Sequence, residues 1–190
     1  MKNRKNEIIE AARKRFARHG FRKTSVEEIA RDLRIGKATI YHYFNSKIDL
    51  FYDTVSADIN NIIYSISSIF NNESLTIKNR LQNFVSLKRS LNDNYSLIFQ
   101  LVRNNFSDLR LEEERELFNT LLYKEISIVK LFISSTSTLP EDRILEFTKI
   151  FVIQSYTISF INEFESINDG LRIDLMANSI TNYFEKLIFS

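Results

Sequence analysis

The 190-residue sequence contains no cysteine and no tryptophan, only three glycines and a single proline. Without cysteine the chain forms no disulfide and has no thiolate for catalysis or metal binding, which favours a cytoplasmic location. Because glycine and proline interrupt helices, their scarcity favours long helices over a sheet with many tight turns. The sequence therefore predicts an all-α protein.

Long apolar runs are also lacking, since no stretch reaches the roughly 20 residues of a membrane-spanning helix. The first residues, MKNRKNEIIEAARKRF, have no apolar core of the kind found in signal peptides. We therefore expect a protein with no membrane partner.

The usual signs of an enzyme are missing as well. Both histidines, His19 and His42, lie within the first 50 residues, so the rest of the chain has neither cysteine nor histidine. No metal cluster, nucleophile–base pair or glycine-rich phosphate loop is recognisable. We expect a protein that is not an enzyme and needs no metal or cofactor. Chemistry performed by carboxylates alone is the remaining enzymatic alternative.

The small net charge of +2 hides a strong polarity along the chain. Residues 1–50 hold 13 Lys and Arg against 6 Asp and Glu, a net charge of +7, whereas residues 51–190 have a net charge of −5. A basic first part fits binding to phosphate, and solubility alone is the alternative explanation.

A helix-turn-helix pattern occupies the end of this basic part. Ser25 and Glu28 form a capping box that starts a helix, which ends near residues 34–36. A second helix begins at about Lys37 and directs Ile40 and Phe44 inward. Two short helices on a tight turn form a DNA-binding motif whose second helix fits the major groove.

With its flanking residues this stretch resembles the DNA-binding head of the TetR family of transcriptional repressors. The matching residues are Phe16, Gly20-Phe21, Thr24-Ser25, Ile29-Ala30, the block Lys37-Ala38-Thr39-Ile40-Tyr41-His42-Tyr43-Phe44, Lys47 and Leu50. The resemblance covers residues 1 to about 50, and beyond them it rests on length, helicity and two terminal helices. It implies a repressor that binds a palindromic operator as a dimer. A small molecule would release this repressor from the DNA.

We expect a helix-turn-helix domain over 1–46 and a helical ligand-binding and dimerisation domain over 47–190. A first helix is predicted over about 3–19, with Gly20 in a left-handed conformation at its end and Phe21 packed on Phe16. Ser46 and Asp49 form a second capping box, which starts a long helix that runs to about residue 70. The remaining helices are predicted over about 74–92, 94–106, 112–134, 140–167 and 172–188.

The predicted DNA-binding residues are Thr24, Ser25, Arg34, Gly36, Lys37, Ala38, Thr39, Tyr41, His42 and Lys47. The resemblance implies that Tyr41 and Lys47 hold the phosphate backbone. The alternative role of Thr24 and Ser25 is helix capping alone. The alternative for His42 is a surface position without a DNA contact. Tyr43 and Phe44 are expected in the core.

One position departs from the family pattern. Arg34 stands where the family usually has glycine, so this arginine would need a positive φ. Gly36 nearby could absorb the strain or serve as a helix cap.

The second domain is rich in Phe, Tyr, Ile and Leu, which suits a pocket for an apolar or aromatic effector, a fatty acyl compound being one option. Candidate ligand-binding residues are Phe99, Arg103, Phe106, Tyr123, Gln154, Tyr156 and Thr157. Their alternative roles are ordinary ones, with Arg103 on the surface and the aromatic side chains in the core. Glu112-Glu113-Glu114 and Glu116 are interpreted as a solvated run of charge.

The predicted helix over 140–167 is apolar on nearly every side and so needs partners on every side. Together with the helix over 172–188 it could form a homodimer interface, as the resemblance implies. A monomer with a large core is the alternative. A DNA-binding dimer of the same fold without an effector is the alternative function.

Overall fold

In a computed structural model, the structure describes residues 4–105, 111–160, 179 and 181–186, and within this part every regular element is helical. The helices are α1 Arg4–Lys23, α2 Val26–Asp32, α3 Lys37–Tyr41, α4 Lys47–Phe70, α5 Ile77–Arg89, α6 Leu91–Asn94, α7 Ser96–Asn105, α8 Glu112–Thr136 and α9 Glu141–Ser159. Residues 181–186 are also helical. The predicted all-α fold is confirmed. In the described part, no helix combines the length and the apolar character needed to cross a membrane.

Two compact units make up the chain. Unit 1 comprises Met1–Asn61 and Ser96–Phe118, and unit 2 comprises Ile62–Tyr95 and Asn119–Ser190. The division therefore falls inside α4, and α7 with the start of α8 belongs to unit 1. The domain boundary between residues 46 and 47 stays a prediction.

The first helix extends further than the sequence pattern indicated. It reaches Lys23 with an interruption at Gly20, where φ is 76° and ψ is 167°. The positive φ is as predicted, but the ψ is extended rather than left-handed helical, a region that essentially only glycine adopts. The ring of Phe21 lies 6.0 Å from that of Phe16 and 4.9 Å from that of Phe51, so the predicted contact is present.

Helix α4 runs from Lys47 to Phe70, close to its predicted limits. The hydroxyl of Ser46 accepts a hydrogen bond from the Asp49 N–H at 3.1 Å, which is one half of the predicted capping box. Along the helix Leu50 and Phe70 are buried, whereas Ile48 and Ile69 are half-buried. The buried stripe of the helix thus begins at Leu50 and ends at Phe70.

Residues 74–92, predicted as one helix, form α5 and the short α6. The Thr76 hydroxyl accepts the Asn79 N–H at 3.1 Å and so sets the start of α5, and Ser90 separates the two helices. The core of unit 2 includes aromatic rings packed at an angle, since the Phe84 ring lies 5.3 Å from those of both Phe70 and Phe151 and is tilted against each.

The acidic run at the start of α8 is not wholly solvated. Glu114 is buried, and its carboxylate accepts hydrogen bonds from the Leu111 N–H at 3.1 Å and from Asn104 Nδ2 at 2.9 Å. It caps the helix, which corrects the interpretation of this residue as surface charge. The predicted helical residues 161–167, and 172–188 apart from 179 and 181–186, lie outside the described part of the chain.

Candidate DNA-binding site

The capping box at α2 forms as predicted. Ser25 Oγ accepts the Glu28 N–H at 3.2 Å, and the Glu28 carboxylate accepts the Ser25 N–H at 2.9 Å. This backbone hydrogen bond lowers the pKa of Glu28. Thr24 is buried, and its hydroxyl donates to the Gly20 carbonyl at 2.8 Å. Both hydroxyl groups therefore take part in the fold, which supports the capping alternative.

Two cations hold the head together. Arg15 donates from Nε and Nη2 to the two carboxylate oxygens of Asp32, both at 2.6 Å, and this bidentate pair joins α1 to α2. Lys47 Nζ donates to the Phe21 carbonyl at 2.9 Å and the Thr24 carbonyl at 3.1 Å. Lys47 was predicted to hold phosphate. Two of its three N–H groups instead join α4 to the last turn of α1 and to the link that follows it.

The turn between α2 and α3 accommodates Arg34 with a positive φ of 54°. The Arg34 N–H donates to the Arg31 carbonyl at 3.1 Å, and the Ile35 N–H donates to the Ala30 carbonyl at 3.0 Å. These two bonds form a Schellman motif with Arg34 at the position usually held by glycine. Gly36 has a φ of −73° and is the N-cap of α3, so it serves as a cap and does not absorb the strain.

Helix α3 presents a mixed polar and aromatic surface. Its Ile40 is buried, as is Phe44 just beyond it, and both were predicted to point inward. Exposed residues are Lys37, Ala38, Tyr41 and His42, and Thr39 is half-buried. Tyr41 is 41% exposed. Tyr43, which was expected in the core, is 38% exposed and lies edge-on to the His42 ring at 5.2 Å.

Lys37 has an acidic partner on α2. Its ammonium forms an ion pair with Glu27 and lies 5.5 Å from the centre of the Tyr41 ring. The hydrogen bond to Glu27 raises the pKa of Lys37, and the same bond lowers the pKa of Glu27. Lys37 is therefore fully charged at neutral pH, and Glu27 aligns it beside Tyr41.

The predicted ligand-binding residues have diverse positions. In unit 1, Phe99 is buried and Arg103 is exposed, while Phe106 lies outside the described residues. In unit 2, Tyr156 is buried, but Tyr123, Gln154 and Thr157 are exposed, Tyr123 at 75%. A role of these exposed residues in ligand binding stays a prediction. Gln154 and Thr157 interrupt the apolar sequence of α9 because they lie on its outer face, one turn apart.

Unit 2 contains a cleft of about 590 Å³ that none of these candidates lines. It is lined by Ser67, Phe70, Asn71, Glu73, Arg80, Ile128, Leu131, Phe132 and Ser135. Arg80 donates to the carbonyls of Phe70 at 3.1 Å and Leu75 at 3.2 Å, and its guanidinium lies 5.8 Å from the Phe132 ring centre. The cleft therefore combines aromatic walls with one fixed cation.

Sequence reasoning missed a buried charged cluster formed by Lys88, Glu125 and Tyr156, of which only Tyr156 was a candidate. Lys88 forms an ion pair with Glu125, and Tyr156 Oη donates to Glu125 Oε2 at 2.5 Å. The sequence did contain a sign that Lys88 is buried, because Lys88 follows Phe84 by one turn on the buried stripe of α5. Glu125 likewise lies between the buried residues Leu121 and Val129. In the described ranges no three His, Asp or Glu side chains are grouped as a metal site requires.

Comparisons with known proteins agree with this geometry. The sequence model described as bacterial regulatory proteins, tetR family, matches residues 8–53. The uncharacterised HTH-type transcriptional regulator YuxN of Bacillus subtilis (strain 168) is 41% identical over 69 residues. That match covers 33% of this chain and 24% of YuxN, so the chain matches about a quarter of the relative's length.

Solved structures match along almost the whole chain. The transcriptional regulator FadR from Bacillus subtilis, in complex with stearoyl-CoA, has a TM-score of 0.70 at 18% identity, with 94% of this chain and 96% of that chain covered. A regulator from Saccharomonospora viridis, in complex with choline, has a TM-score of 0.72 at 18% identity, with 95% of each chain covered. At this identity the similarity concerns the fold. Residues 8–53 are therefore similar to the head of bacterial regulatory proteins of the tetR family, and the chain as a whole shares the fold of the solved structures.

Proposed function

We propose that the chain is a DNA-binding transcriptional regulator, a repressor that a small apolar effector releases from a palindromic operator. The observation that carries this proposal is the surface of α3, where Lys37, Tyr41 and His42 are exposed on a head with a net charge of +7. Lysine and tyrosine side chains at a helix of this size can bind phosphate groups and base edges in a major groove.

The contact set follows from the positions of the side chains. Lys37, Thr39, Tyr41 and His42 face away from the core of the head, and Ala38 leaves room for close approach of the duplex. Arg34 is exposed at the turn and supplies a further phosphate contact. Thr24, Ser25 and Lys47 act mainly by fixing α2 and α4, because their polar groups already bind the protein.

A homodimer is part of the proposal. Exposed apolar side chains on α9, Leu145, Ile150 and Ile153, lie on one side of the helix, and Tyr183 in the last helical segment is also exposed. Such residues bury well against a second copy of the chain. The predicted interface through 140–167 and 172–188 contains all four residues. Two heads would then bind successive half-sites of the operator.

The effector is proposed to bind in unit 2, where the aromatic cleft near Phe70, Arg80 and Phe132 offers space for it. Two proteins of the same fold carry small molecules, stearoyl-CoA in one case and choline in the other. An effector that binds better to a state with wrongly spaced heads would lower operator affinity by a shift in population. The alternative is a dimer of the same fold that binds DNA without an effector.

The DNA-binding proposal is tested with Lys37→Ala and Tyr41→Ala on an operator selected from a pool of genomic fragments. We expect each substitution to weaken binding by about 1–3 kcal/mol. For Lys37→Ala the slope of log affinity against log salt concentration should also fall by about 1, because one phosphate contact is lost. Fluorescence anisotropy over a salt series measures both quantities.

Lys130→Ala is the matched control, because it removes one exposed lysine of α8 outside the head. It should leave the affinity and the salt slope unchanged. If all three variants bind the operator as the unmodified protein does, α3 is not the recognition element. Native mass spectrometry of the purified protein distinguishes an effector-controlled regulator from a DNA-binding dimer without an effector. An additional small mass bound to the protein supports the effector.

A further inference from the structure

The ammonium group of Lys88 is enclosed by two aromatic rings and a carboxylate. It lies 3.5 Å from the centre of the Tyr156 ring and 5.2 Å from that of Phe84, and it forms an ion pair with Glu125. The side chains of Lys88 and Glu125 are both 0% exposed. We call Phe84, Glu125 and Tyr156 the cage.

This arrangement has the composition of an alkylammonium site. Aromatic faces attract cations, most strongly when water is excluded, and a carboxylate supplies the counter-charge. The Tyr156 hydroxyl donates to Glu125 Oε2 at 2.5 Å and so fixes the position of the carboxylate relative to the tyrosine. Since Lys88 itself fills the cage, its geometry accepts a primary ammonium group at the end of an apolar chain.

Stability alone gives a weak reason for such a cluster. Buried ion pairs are often matched or exceeded in stability by apolar side chains of similar volume. Here Lys88 and Glu125 are buried as a direct ion pair, and the Tyr156 hydroxyl is a further partner of the carboxylate.

The cage lies beyond the inner wall of the aromatic cleft in unit 2. Arg80, Phe84 and Lys88 follow one another at four-residue spacing on one face of α5, so the cleft residue Arg80 is about 12 Å along the helix from Lys88. Phe70 lines the cleft and its ring lies 5.3 Å from that of Phe84. The cleft residue Phe70 is therefore in direct contact with the cage residue Phe84.

We propose that unit 2 binds an apolar primary amine, with its alkyl chain in the cleft and its ammonium group in the cage in place of that of Lys88. The role of this amine as the effector rests on the proposed function, whereas its binding does not. A carboxylate on the same alkyl chain is rejected, because it would meet the Glu125 carboxylate and the negative faces of the two rings.

The exchange keeps the charge of the cage unchanged, since one ammonium replaces another beside the same carboxylate. Lys88 lies in the last turn of α5, where a displaced ammonium is close to the carbonyl groups of the helix end. Burial lowers the pKa of Lys88 to about 8, so at neutral pH the group in the cage is still mainly an ammonium ion.

The first experiment compares octylamine, octanoate and octanol on the full chain by thermal unfolding. We expect octylamine alone to raise Tm, by about 5–10 °C at one hundred times its Kd. The variant Lys88→Met/Glu125→Gln removes both charges at similar volume and should keep the fold. Octylamine should no longer raise its Tm. A Tm rise with octanoate instead of octylamine, or an equal rise with octylamine in the double variant, overturns the proposal.

The second experiment removes the built-in occupant. Lys88→Ala leaves room for propylammonium, which replaces the atoms from Cγ to Nζ, and we expect propylamine to raise the Tm of this variant. Propanol should have no such effect, and neither should propylamine on Lys88→Ala/Glu125→Gln. No response to propylamine in a folded Lys88→Ala variant shows that the cluster is purely structural.

Operator release is measured separately, by anisotropy with octylamine and octanoate. Release by octanoate alone overturns the amine site and leaves the proposed function standing. A Tm rise with octylamine that releases no DNA keeps the amine site and argues against effector-controlled repression.

Discussion

Arg34 adopts a backbone conformation that is strained for residues with a side chain and unstrained for glycine. Its φ of 54° is required by the two Schellman hydrogen bonds that end α2. A left-handed conformation costs a side-chain-bearing residue roughly 1–2 kcal/mol. The exposed guanidinium at this turn is compatible with a phosphate contact, which would explain the choice of arginine over glycine.

We therefore predict that Arg34→Gly stabilises the protein and weakens DNA binding. The relief of strain exceeds the larger entropy of glycine in the unfolded chain, so the free energy of unfolding should rise by about 0.5–1 kcal/mol. Urea unfolding measures the first effect and operator titration the second.

Arg34→Ala is the matched control, since alanine loses the charge and keeps the strain. It should weaken DNA binding as Arg34→Gly does, without a gain in stability. If Arg34→Ala stabilises the protein to the same extent, strain at this position is not the cause.

Residue roles in the head were only partly predictable from the sequence. The capping box, the inward direction of Ile40 and the positive φ at Gly20 follow from local spacing, and these predictions are confirmed. The hydrogen bonds of Lys47 to the carbonyls of Phe21 and Thr24 could not be predicted, because they join segments more than 20 residues apart. Local rules do not specify such contacts.

At the level of the helices, α5, α8 and α9 each place one polar side chain in the buried cluster of unit 2. Burial lowers the pKa of Lys88 to about 8 from an ordinary value of 10.5, while the Glu125 charge opposes the shift. Burial also raises the pKa of Tyr156 well above 10, so this phenol stays neutral through the alkaline range used below. Lys88 is therefore the member of the cluster that changes charge between pH 7 and 9.

The sign of the pH effect follows from proton binding. Between pH 8 and 10.5 the unfolded chain binds more protons at Lys88 than the folded chain does, so this residue makes stability rise with pH. We predict that the unmodified protein gains on the order of 1 kcal/mol relative to Lys88→Met/Glu125→Gln between pH 7 and 9.

Urea unfolding of both proteins at the two pH values, at equal chain concentration, measures this difference. The double variant serves as the reference for all other titrating groups. A difference that stays constant, or that grows in favour of the variant, contradicts the assignment of a depressed pKa to Lys88.

Helix patterns predicted the elements well and the direction of single polar residues poorly. The limits of α4 and α8 lie within a few residues of the predicted ones, since long periodic stripes define them. Gln154 and Thr157 were placed in a pocket because they interrupt an apolar sequence, yet they are exposed on α9. When a helix is apolar on two faces, its sequence does not show which face packs against the rest of the same chain.

For the whole molecule, the proposed dimer is the property with the sharpest test. We predict that Ile150→Glu/Ile153→Glu gives a monomer, because two charges would be buried against the partner copy. Light scattering after gel filtration should change from twice the chain mass of 22.4 kDa to that mass itself. Operator affinity should fall with it, since one head binds one half-site.

Tyr64→Glu provides the control for this variant. Tyr64 is exposed on α4 and lies outside the proposed interface, so the same kind of charge should leave the dimer intact. A dimeric Ile150→Glu/Ile153→Glu protein would place the interface elsewhere.

Unit 1 is discontinuous in sequence, and this has a practical consequence for transplanting the head. Gln100 donates from Nε2 to the Ala17 carbonyl, and α7 supplies buried residues to the same unit as α1. A gene fragment that ends at residue 61 encodes only part of this unit and leaves apolar side chains of α1 uncovered. A chimera must carry residues 96–118 together with 1–61. During synthesis, unit 1 can complete its folding only after residue 118 has been added to the chain.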